Sequence, residues 1–536
     1  MSVLASLALA AVPQAPVEAP PPDGAELRAA GTADRILEGS PDVRFDHLGF
    51  SLASGGDWDG AGASDLLVGG SNLYDSNLAP PSNKLDAAGL FLLPGPGDLD
   101  TLPRLSSRNY LRFEGAQNGD RFGYEVAFLG DVDGNGDGRS EIAIGAPRGP
   151  QVEGARGFSE RGAVYLFTAG HFADFGPGDA LSANDACVAI FGEEPGDRFG
   201  WSIEALDFDG DGVPDLAIGA PGCLTDPLFP GRVYVIPGAR LRIALAQHRP
   251  GRKLAVTAPS LGALVITGLG GSDRFGYALS SPGDVDGDGN DDLAVGAPSF
   301  QFSAHDSVWI QPHPQLKPPR ESIGYVALYR GRALDGELVD RPADAILRGE
   351  QPGAQFGASL AARHDMEDDA GELIVGAPFH AAEQPGEAPA LAEAGRAVVY
   401  SLRGGARVLA TLDGDAAGHR MGYSVAVLGD VDGDGRGDFA LGGMLGGRPV
   451  TDVDGAGEQG GPRCGRVWIV RGPGADAGPA TCLVEVFGEG AFDRLGTSLA
   501  PLGDLDGNGR TDVAIGAPSF PFRPGDDFGR IYLLLF

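Results

Sequence analysis

The sequence has few of the residues that bind nucleic acid, form disulfide scaffolds or span membranes. Lysine is almost absent, and 74 acidic residues against 40 basic ones give a net charge of −34 over 536 residues. Because phosphate binding needs clustered lysine and arginine, nucleic acid is disfavoured as a partner. Beyond the N-terminus no apolar run is long enough to cross a bilayer. We therefore predict no nucleic-acid binding and no membrane insertion.

Glycine and proline are abundant instead, with 87 and 41 residues, and 42% of the chain is hydrophobic. The glycine and proline content is typical of turn-rich or disordered chains. The hydrophobic content argues against wholesale disorder, because that much apolar surface can form a core. Together they predict an all-β protein of many short strands joined by tight connections.

The N-terminal segment predicts export. Residues 1–12 are apolar with small residues near a potential cleavage site, such as Ala8 and Ala10, although they lack a basic region. The alternative is a disordered apolar tail. Residues 13–34 are interpreted as a proline-rich flexible spacer, and residues 35–536 as a single domain. We expect a secreted, periplasmic or cell-surface location.

A phrase ending in Phe-Gly or a close variant recurs seven times. The copies end at Gly49, Gly123, Gly200, Gly276, Gly357, Gly422 and Gly496. After each copy come, in turn, an acidic or glycine-rich segment, an apolar run such as 142–147, a glycine-led strand such as 162–167 and a fourth short apolar run. Four strands repeated seven times predict a seven-bladed β-propeller of four-stranded antiparallel blades.

The two ends of the sequence predict how the ring closes. Residues 529–536 form the third strand of unit seven, and no fourth strand follows. Arg35–Gly39 is an apolar run that precedes unit one and belongs to no other unit. We expect this strand to complete blade seven, because closure removes an exposed sheet edge.

Five units carry an acidic loop whose oxygen side chains follow the spacing 1, 3, 5 and 9, with glycines between them. This all-oxygen, highly charged pattern resembles an EF-hand loop and favours Ca²⁺. The alternative is a cluster of Asx turns without metal. The predicted ligands are Asp207, Asp209, Asp211 and Asp215 in blade three; Asp284, Asp286, Asp288 and Asp292 in blade four; Asp430, Asp432, Asp434 and Asp438 in blade six; and Asp504, Asp506, Asn508 and Asp512 in blade seven.

The fifth of these loops, in blade two, is ambiguous, and the loops of blades one and five depart from the spacing. Blade two is two residues longer, and counting from Asp133 fills every position with Asp133, Asn135, Asp137 and Glu141. Blade one keeps Asp57, Asp59 and Asp65 but has Ala61 at position five, which predicts weak binding. Blade five (364–372) lacks the pattern and is predicted to be empty. The sequence thus predicts four or five bound Ca²⁺ ions.

With Phe-Gly, Asp-x-Asp-Gly-Asp-Gly and Gly-Ala-Pro elements in order, the chain resembles the FG-GAP repeat family. That family includes the β-propeller of integrin α subunits. The resemblance covers about residues 35–536 and implies calcium loops on one face and partner binding on the opposite face. The chain departs from the family pattern in the loops of blades one and five and in the Gly-Gly endings of blades one and six.

Several other segments of the sequence are candidates for a functional role. Arg436–Asp438 spells Arg-Gly-Asp, but its Asp is the predicted ninth-position ligand, so recognition through it is not expected. The segment 299–322 carries His305, Trp309 and His313 and is either a partner-binding loop or a locally packed insertion. The four cysteines are expected to be mostly unpaired, because Cys464 and Cys482 should lie at opposite ends of paired strands.

No catalytic signature of a serine hydrolase, zinc protease or phosphate-loop enzyme is present. We therefore predict a monomeric, exported, calcium-binding module for adhesion or ligand recognition, with an unknown protein or glycan ligand, and no enzymatic activity. The alternative is a carbohydrate-binding or polysaccharide-degrading enzyme built on a propeller. Such an enzyme should have acids converging on the upper face or the channel.

Overall fold

The fold was analysed in a computed structural model. It describes residues 26–29, 33–38, 48–70, 87–93, 110–117, 119–149, 160–222, 230–249, 252–299, 323–334, 342–364, 371–384, 389–445, 464–472, 481–488, 493–518 and 529–536. The predicted signal peptide (1–12) and the loop with His305, Trp309 and His313 lie outside these ranges. Within them, no helix is long and apolar enough to cross a membrane.

The described strands form seven sheets, which are the seven predicted blades. Two strands, β1 (Glu26–Ala29) and β2 (Arg35–Glu38), precede blade one. The first three blades and their connections contain β3 (Leu48–Gly56), β4 (Asp65–Gly70), β5 (Ala87–Phe91) and β6 (Leu111–Glu114); β7 (Val126–Gly130), β8 (Glu141–Ala146), β9 (Ala163–Phe167), β10 (Ala180–Ser182) and β11 (Val188–Phe191); and β12 (Ser202–Leu206), β13 (Asp215–Ala220), β14 (Arg232–Ile236), α1 (Gly238–Ala246), β15 (Leu254–Thr257) and β16 (Leu264–Thr267).

The last four blades are built in the same way. They contain β17 (Ala278–Gly283), β18 (Asp292–Ala297), β19 (Tyr325–Tyr329) and β20 (Ala345–Arg348); β21 (Ser359–His364), β22 (Gly371–Ala377), β23 (Arg396–Ser401) and β24 (Arg407–Asp413); β25 (Ser424–Val427), β26 (Phe439–Gly443), β27 (Arg466–Val470) and β28 (Cys482–Phe487); and β29 (Ser498–Gly503), β30 (Asp512–Ala517) and β31 (Arg530–Leu534). The second strands are buried along most of their length, which explains their continuous apolar sequence.

The ring closes as predicted. Strand β2 pairs antiparallel with β31, with Ile36 opposite Tyr532, and becomes the fourth strand of blade seven. Leu37 is 2% exposed and packs in a core shared by blades one and seven. The N-terminal strand therefore joins the last blade to the ring and hides its edge.

Adjacent blades approach closely at the centre. A Cβ added to the glycine of any second-strand Gly-Ala or Gly-Gly step would lie 2.1–2.3 Å from the carbonyl oxygen of the Phe-Gly glycine in the next blade. In five blades a serine also donates its hydroxyl to that same oxygen. These serines are Ser51, Ser202, Ser359, Ser424 and Ser498, at 2.7–3.2 Å, and the last bond joins blade seven to blade one. Glu125 and Ala278 replace serine in blades two and four.

In the described part of the chain, the outer edges of three blades carry a fifth, parallel strand. Strand β10 pairs with β6, β15 with β11, and β1 with β28. In each case the segment that precedes the fourth strand of one blade covers the edge of the preceding blade. Strand β1 lies inside residues 13–34, which we interpreted as a spacer, so part of that segment belongs to the sheet structure.

Among the described residues, Cys187 and Cys482 are free thiols. In the pairing of β27 with β28, Val470 lies opposite Cys482 and Arg466 opposite Phe487. Cys464 and Cys482 therefore lie at opposite ends of the pair, as the sequence predicted. Cys223 lies outside the described residues.

Candidate functional site

The acidic loop of blade six shows how the first and last acids of the pattern are held. Asp430 accepts hydrogen bonds from the backbone N–H groups of Gly433 and Gly435, at 2.6 and 2.7 Å. Asp438 accepts one from Val431 inside the loop at 3.0 Å and one from Gly472 beyond the third strand at 2.9 Å. The loop backbone therefore draws the two ends of the nine-residue segment together.

The same arrangement recurs in the other loops. At the ninth position Asp65, Asp215, Asp292 and Asp512 each accept one backbone N–H from the loop and one from the residues after the third strand. At the fifth position Asp211, Asp434 and Asn508 accept the N–H two residues on. Carboxylate oxygens that lie within 4.8 Å of one another come from Asp57, Asp59 and Asp65; Asp207, Asp209 and Asp215; Asp284, Asp286 and Asp288; and Asp430, Asp432 and Asp438.

In blade two the hydrogen bonds follow a different register from the one we preferred from the sequence. Asp131 accepts the N–H of Gly134 at 2.9 Å, as the first-position acid does elsewhere. Glu141 accepts the N–H of Val132, the residue after Asp131. Oxygens of Asp131, Asp133 and Glu141 lie within 4.8 Å of one another. The hydrogen bonds therefore fit a loop numbering that begins at Asp131. In this numbering Asn135 is fifth and Asp137 is seventh, and the two extra residues lie before Glu141.

Burial makes the last acid of each of these loops a weak acid when no cation is present. Desolvation, reinforced by neighbouring carboxylates, raises the pKa of Glu141 to about 8 and those of Asp65 and Asp215 to about 7. The pKa values of Asp292, Asp438 and Asp512 rise to about 6 for the same reasons. A divalent cation at the centre of the loop would reverse this, because an opposite charge favours the ionised form.

Among the described residues of these loops, two side-chain oxygens are buried without a hydrogen bond. They are Oε1 of Glu141 and Oδ1 of Asp207. A buried carboxylate oxygen without a partner is costly, and metal coordination is one way to satisfy it. The all-oxygen donor set fits Ca²⁺, which takes six to eight oxygens from carboxylates, carbonyls and water.

The two degenerate loops differ in what the structure describes. In blade one Ala61 occupies the fifth position, so the loop contributes three carboxylates. The backbone N–H of Ala61 donates to Asp57 and Asp59. In blade five residues 365–370 lie outside the described part of the chain, and the predicted empty loop stays a prediction.

An aromatic cluster at one mouth of the central channel was missed in the sequence. The residue after each Phe-Gly glycine lies at this mouth, and three of them, Tyr124, Trp201 and Tyr277, form a buried cluster. Ring centroids are 5.0 Å apart for Phe50–Tyr124, 4.5 Å for Tyr124–Trp201 and 5.3 Å for Trp201–Tyr277. Tyr423 also lines this space, a cavity of about 240 Å³. The sequence signal was an aromatic residue after five of the seven Phe-Gly sites.

The repeats also match a known family of repeats. The FG-GAP repeat profile matches residues 199–236, 275–307 and 495–534, which contain strands of blades three, four and seven. The chain is a β-propeller that contains FG-GAP repeats. It is similar to integrin alpha-PS2 of Drosophila melanogaster, with 34% identity over 182 residues, and to integrin alpha-PS5 of the same organism, with 28% identity over 321 residues. It is also similar to human integrin alpha-IIb, with 33% identity over 187 residues.

These matches cover only part of each protein. They include 33%, 57% and 35% of this chain, and 10%, 27% and 16% of integrins alpha-PS2, alpha-PS5 and alpha-IIb respectively. The FG-GAP propeller thus spans between a tenth and about a quarter of the length of these relatives.

The Arg-Gly-Asp tripeptide of the FG-GAP propeller does not present its acid. Asp438 is 0% exposed, and both of its oxygens accept backbone hydrogen bonds. The side chain of Arg471 reaches this loop from outside, and its Nε donates to Asp432 at 2.6 Å. The tripeptide is therefore part of the acidic loop, and its carboxylate is held inside the loop.

Proposed function

We propose that this FG-GAP propeller is an exported, Ca²⁺-binding module that recognises a protein or glycan ligand in adhesion. The observation that carries the proposal is the aromatic cluster at the channel mouth, whose residues lie just before the first strands of consecutive blades. Large aromatic side chains on a rigid frame are enriched where proteins bind ligands. The similarity to integrin alpha chains supports the same class of function.

Calcium has a structural role in this proposal. Strand β12 (Ser202–Leu206) follows Trp201 at the mouth and ends just before Asp207 of the acidic loop, so the aromatic cluster and the loops lie at opposite ends of the first strands. The proposed ligands are the predicted residues of blades two, three, four, six and seven, with Asp131 added in blade two. Bound Ca²⁺ supplies positive charge that lets these buried acids ionise together and fixes the loops.

The proposal is tested by binding to immobilised extracellular-matrix proteins and polysaccharides in millimolar Ca²⁺. We expect at least one surface to capture the wild type, and Trp201→Ala to weaken that binding at least tenfold. Ile243→Lys, an exposed change on α1, is the control. A panel on which Trp201→Ala binds like the wild type would contradict a ligand site at the mouth.

One observation favours an enzyme as the second candidate. Glu125 lines the same cavity, and burial together with nearby Glu204 raises its pKa to about 8. Burial also raises the pKa of Glu204 to about 7. Two carboxyl groups with raised pKa values near an aromatic site could act as acid and base on a polysaccharide. New reducing or unsaturated ends produced by the wild type, but not by Glu125→Gln, would establish this activity.

A further inference from the structure

The outer edge of blade four differs from the covered edges of blades one, two and six. The covering strands come from the connection between the third and fourth strands of the following blade, or from the segment before β2. For blade four this connection is Leu402–Ala406 of blade five, and it has only five residues between β23 and β24. It is fully described, and it turns directly with no strand in it.

Strand β20 is correspondingly open. Ala345, Ile346 and Arg348 are exposed, whereas Leu347 is buried. Ile346, with 36% of its surface exposed, is among the exposed large hydrophobic residues of the described chain. Beside the start of β20, a cavity of about 830 Å³ separates Ala345 from the turn at Leu402–Ala406. Among the described residues, this edge therefore has no further strand of the kind that covers blades one, two and six.

The backbone of β20 is arranged to accept that strand. Gly349 donates its N–H to Gly324 at 2.9 Å, toward the third strand of the blade. Because donors alternate along a strand, the N–H groups of Ile346 and Arg348 point to the outer side. The covered edge of blade two shows how such outward backbone groups are used: there the outward carbonyl of Cys187 accepts the N–H of Leu254, in the covering strand, at 3.1 Å.

We propose that β20 is a docking edge for an extended segment of a partner protein, which adds as a fifth, parallel strand. The three strands that the molecule adds to itself define the chemistry of the occupant: Ala-Leu-Ser, Leu-Ala-Val-Thr and Glu-Leu-Arg-Ala. They are short, and each contains leucine and alanine. Main-chain hydrogen bonds supply affinity in such strand addition, and side chains supply specificity.

Charge selects the partner further. In the pairing of β15 with β11, Leu254 lies opposite Val188 and Thr257 opposite Phe191. Transferred to β20, the position of Thr257 lies opposite exposed Arg348. An acidic residue at that position would complement the guanidinium group, because opposite charges on neighbouring strands attract. The occupant is therefore an extended segment with leucine first and an acid fourth.

The test uses the full-length protein and a fluorescent six-residue peptide, Lys-Leu-Ala-Val-Glu-Ala, in an anisotropy titration. We expect saturable binding to the wild type and at least tenfold weaker binding to Ile346→Pro, which removes an outward donor that an edge strand can lose. Ile346→Ala keeps that donor and should bind within threefold of wild type. Melting curves of both variants establish that they are folded.

Two further comparisons test the geometry. N-methylation of the leucine and valine amides, which face the edge in the β15 pairing, should abolish binding, whereas N-methylation of the first alanine should not. Arg348→Glu should prefer the peptide with lysine in place of glutamate. Equal binding to wild type and Ile346→Pro, or indifference to N-methylation, would overturn the proposal. Wild-type self-association that Ile346→Pro abolishes would also overturn it, by assigning the edge to a second copy.

Discussion

At the residue scale, the ninth-position acid of each loop has two tasks. Asp438 holds two backbone N–H groups, one in its own loop and one beyond the third strand, and it faces Asp430 and Asp432. The hydrogen bonds stabilise its charged form, while burial and the neighbouring acids oppose it. The net contribution of this side chain to the stability of the fold therefore depends on whether a cation is present.

Asp438→Asn is expected to lower stability in Ca²⁺ by about 2 kcal/mol, because one buried N–H loses its acceptor and one ion loses a ligand. The loss should be smaller in EDTA, since the substitution also removes a buried charge. Denaturant unfolding in the two buffers measures both values, with exposed Asp174→Asn as the control. An equal loss in both buffers would argue against an ion in this loop.

The raised pKa values predict how the calcium effect depends on pH. Without metal, the folded pKa of Asp215 is about 7, above the value near 4 of an unfolded aspartate. The protonated carboxyl group therefore contributes to the stability of the metal-free protein. This contribution is fully present below pH 4 and is lost as the pH rises through 7. Bound Ca²⁺ removes the penalty of ionisation. The increase in melting temperature caused by Ca²⁺ should therefore grow from pH 5 to pH 8, and a constant increase would contradict this account.

At the element scale, the first strand of each blade determines how neighbouring blades meet. Five serines bond to the next blade, but Ala278 in blade four cannot. The repeat pattern predicted the blades, because its periodicity is local in the sequence. It did not predict β10, β15 and β1, which have three or four residues and pair in parallel with a different blade. Such segments resemble loops, and their partner strand is distant in the sequence.

Ala278→Ser should stabilise the protein by about 0.5–1 kcal/mol through a new bond to the carbonyl of Gly357. Ser424→Ala should cost about 1 kcal/mol or more, because it leaves the buried carbonyl of Gly496 without that donor. Opposite shifts of the urea midpoint, at an unchanged slope, are the expected result. Shifts of the same sign would show that the hydrogen bonds of these serines do not stabilise the contacts between blades.

At the scale of the whole molecule, ring closure was predictable because a missing fourth strand and a surplus N-terminal strand are both visible in the sequence. The register of blade two was not, since only the count from Asp133 fills all four positions of the spacing. The hydrogen bonds of Asp131 and Glu141 instead follow a count from Asp131, with two extra residues before Glu141. The channel mouth was missed because its residues are distant in sequence and meet only when the ring closes.

Leu37→Ala tests closure directly. The side chain is buried between blades one and seven, so its truncation should cost about 2–4 kcal/mol. Val408→Ala, on a strand where the side chain is 51% exposed, should cost less than about 0.5 kcal/mol. Denaturant titrations of the two variants provide the measurement, and equal losses would contradict a closing role for β2.

The central claim is that calcium stabilises this FG-GAP propeller by binding its acidic loops. It is tested most directly by melting the purified protein in millimolar Ca²⁺ and in EDTA while counting the bound ions. An ion that binds only the folded state must raise the melting temperature. The account predicts about four or five bound ions and a clear rise in melting temperature. Identical melting curves with no bound metal would contradict it.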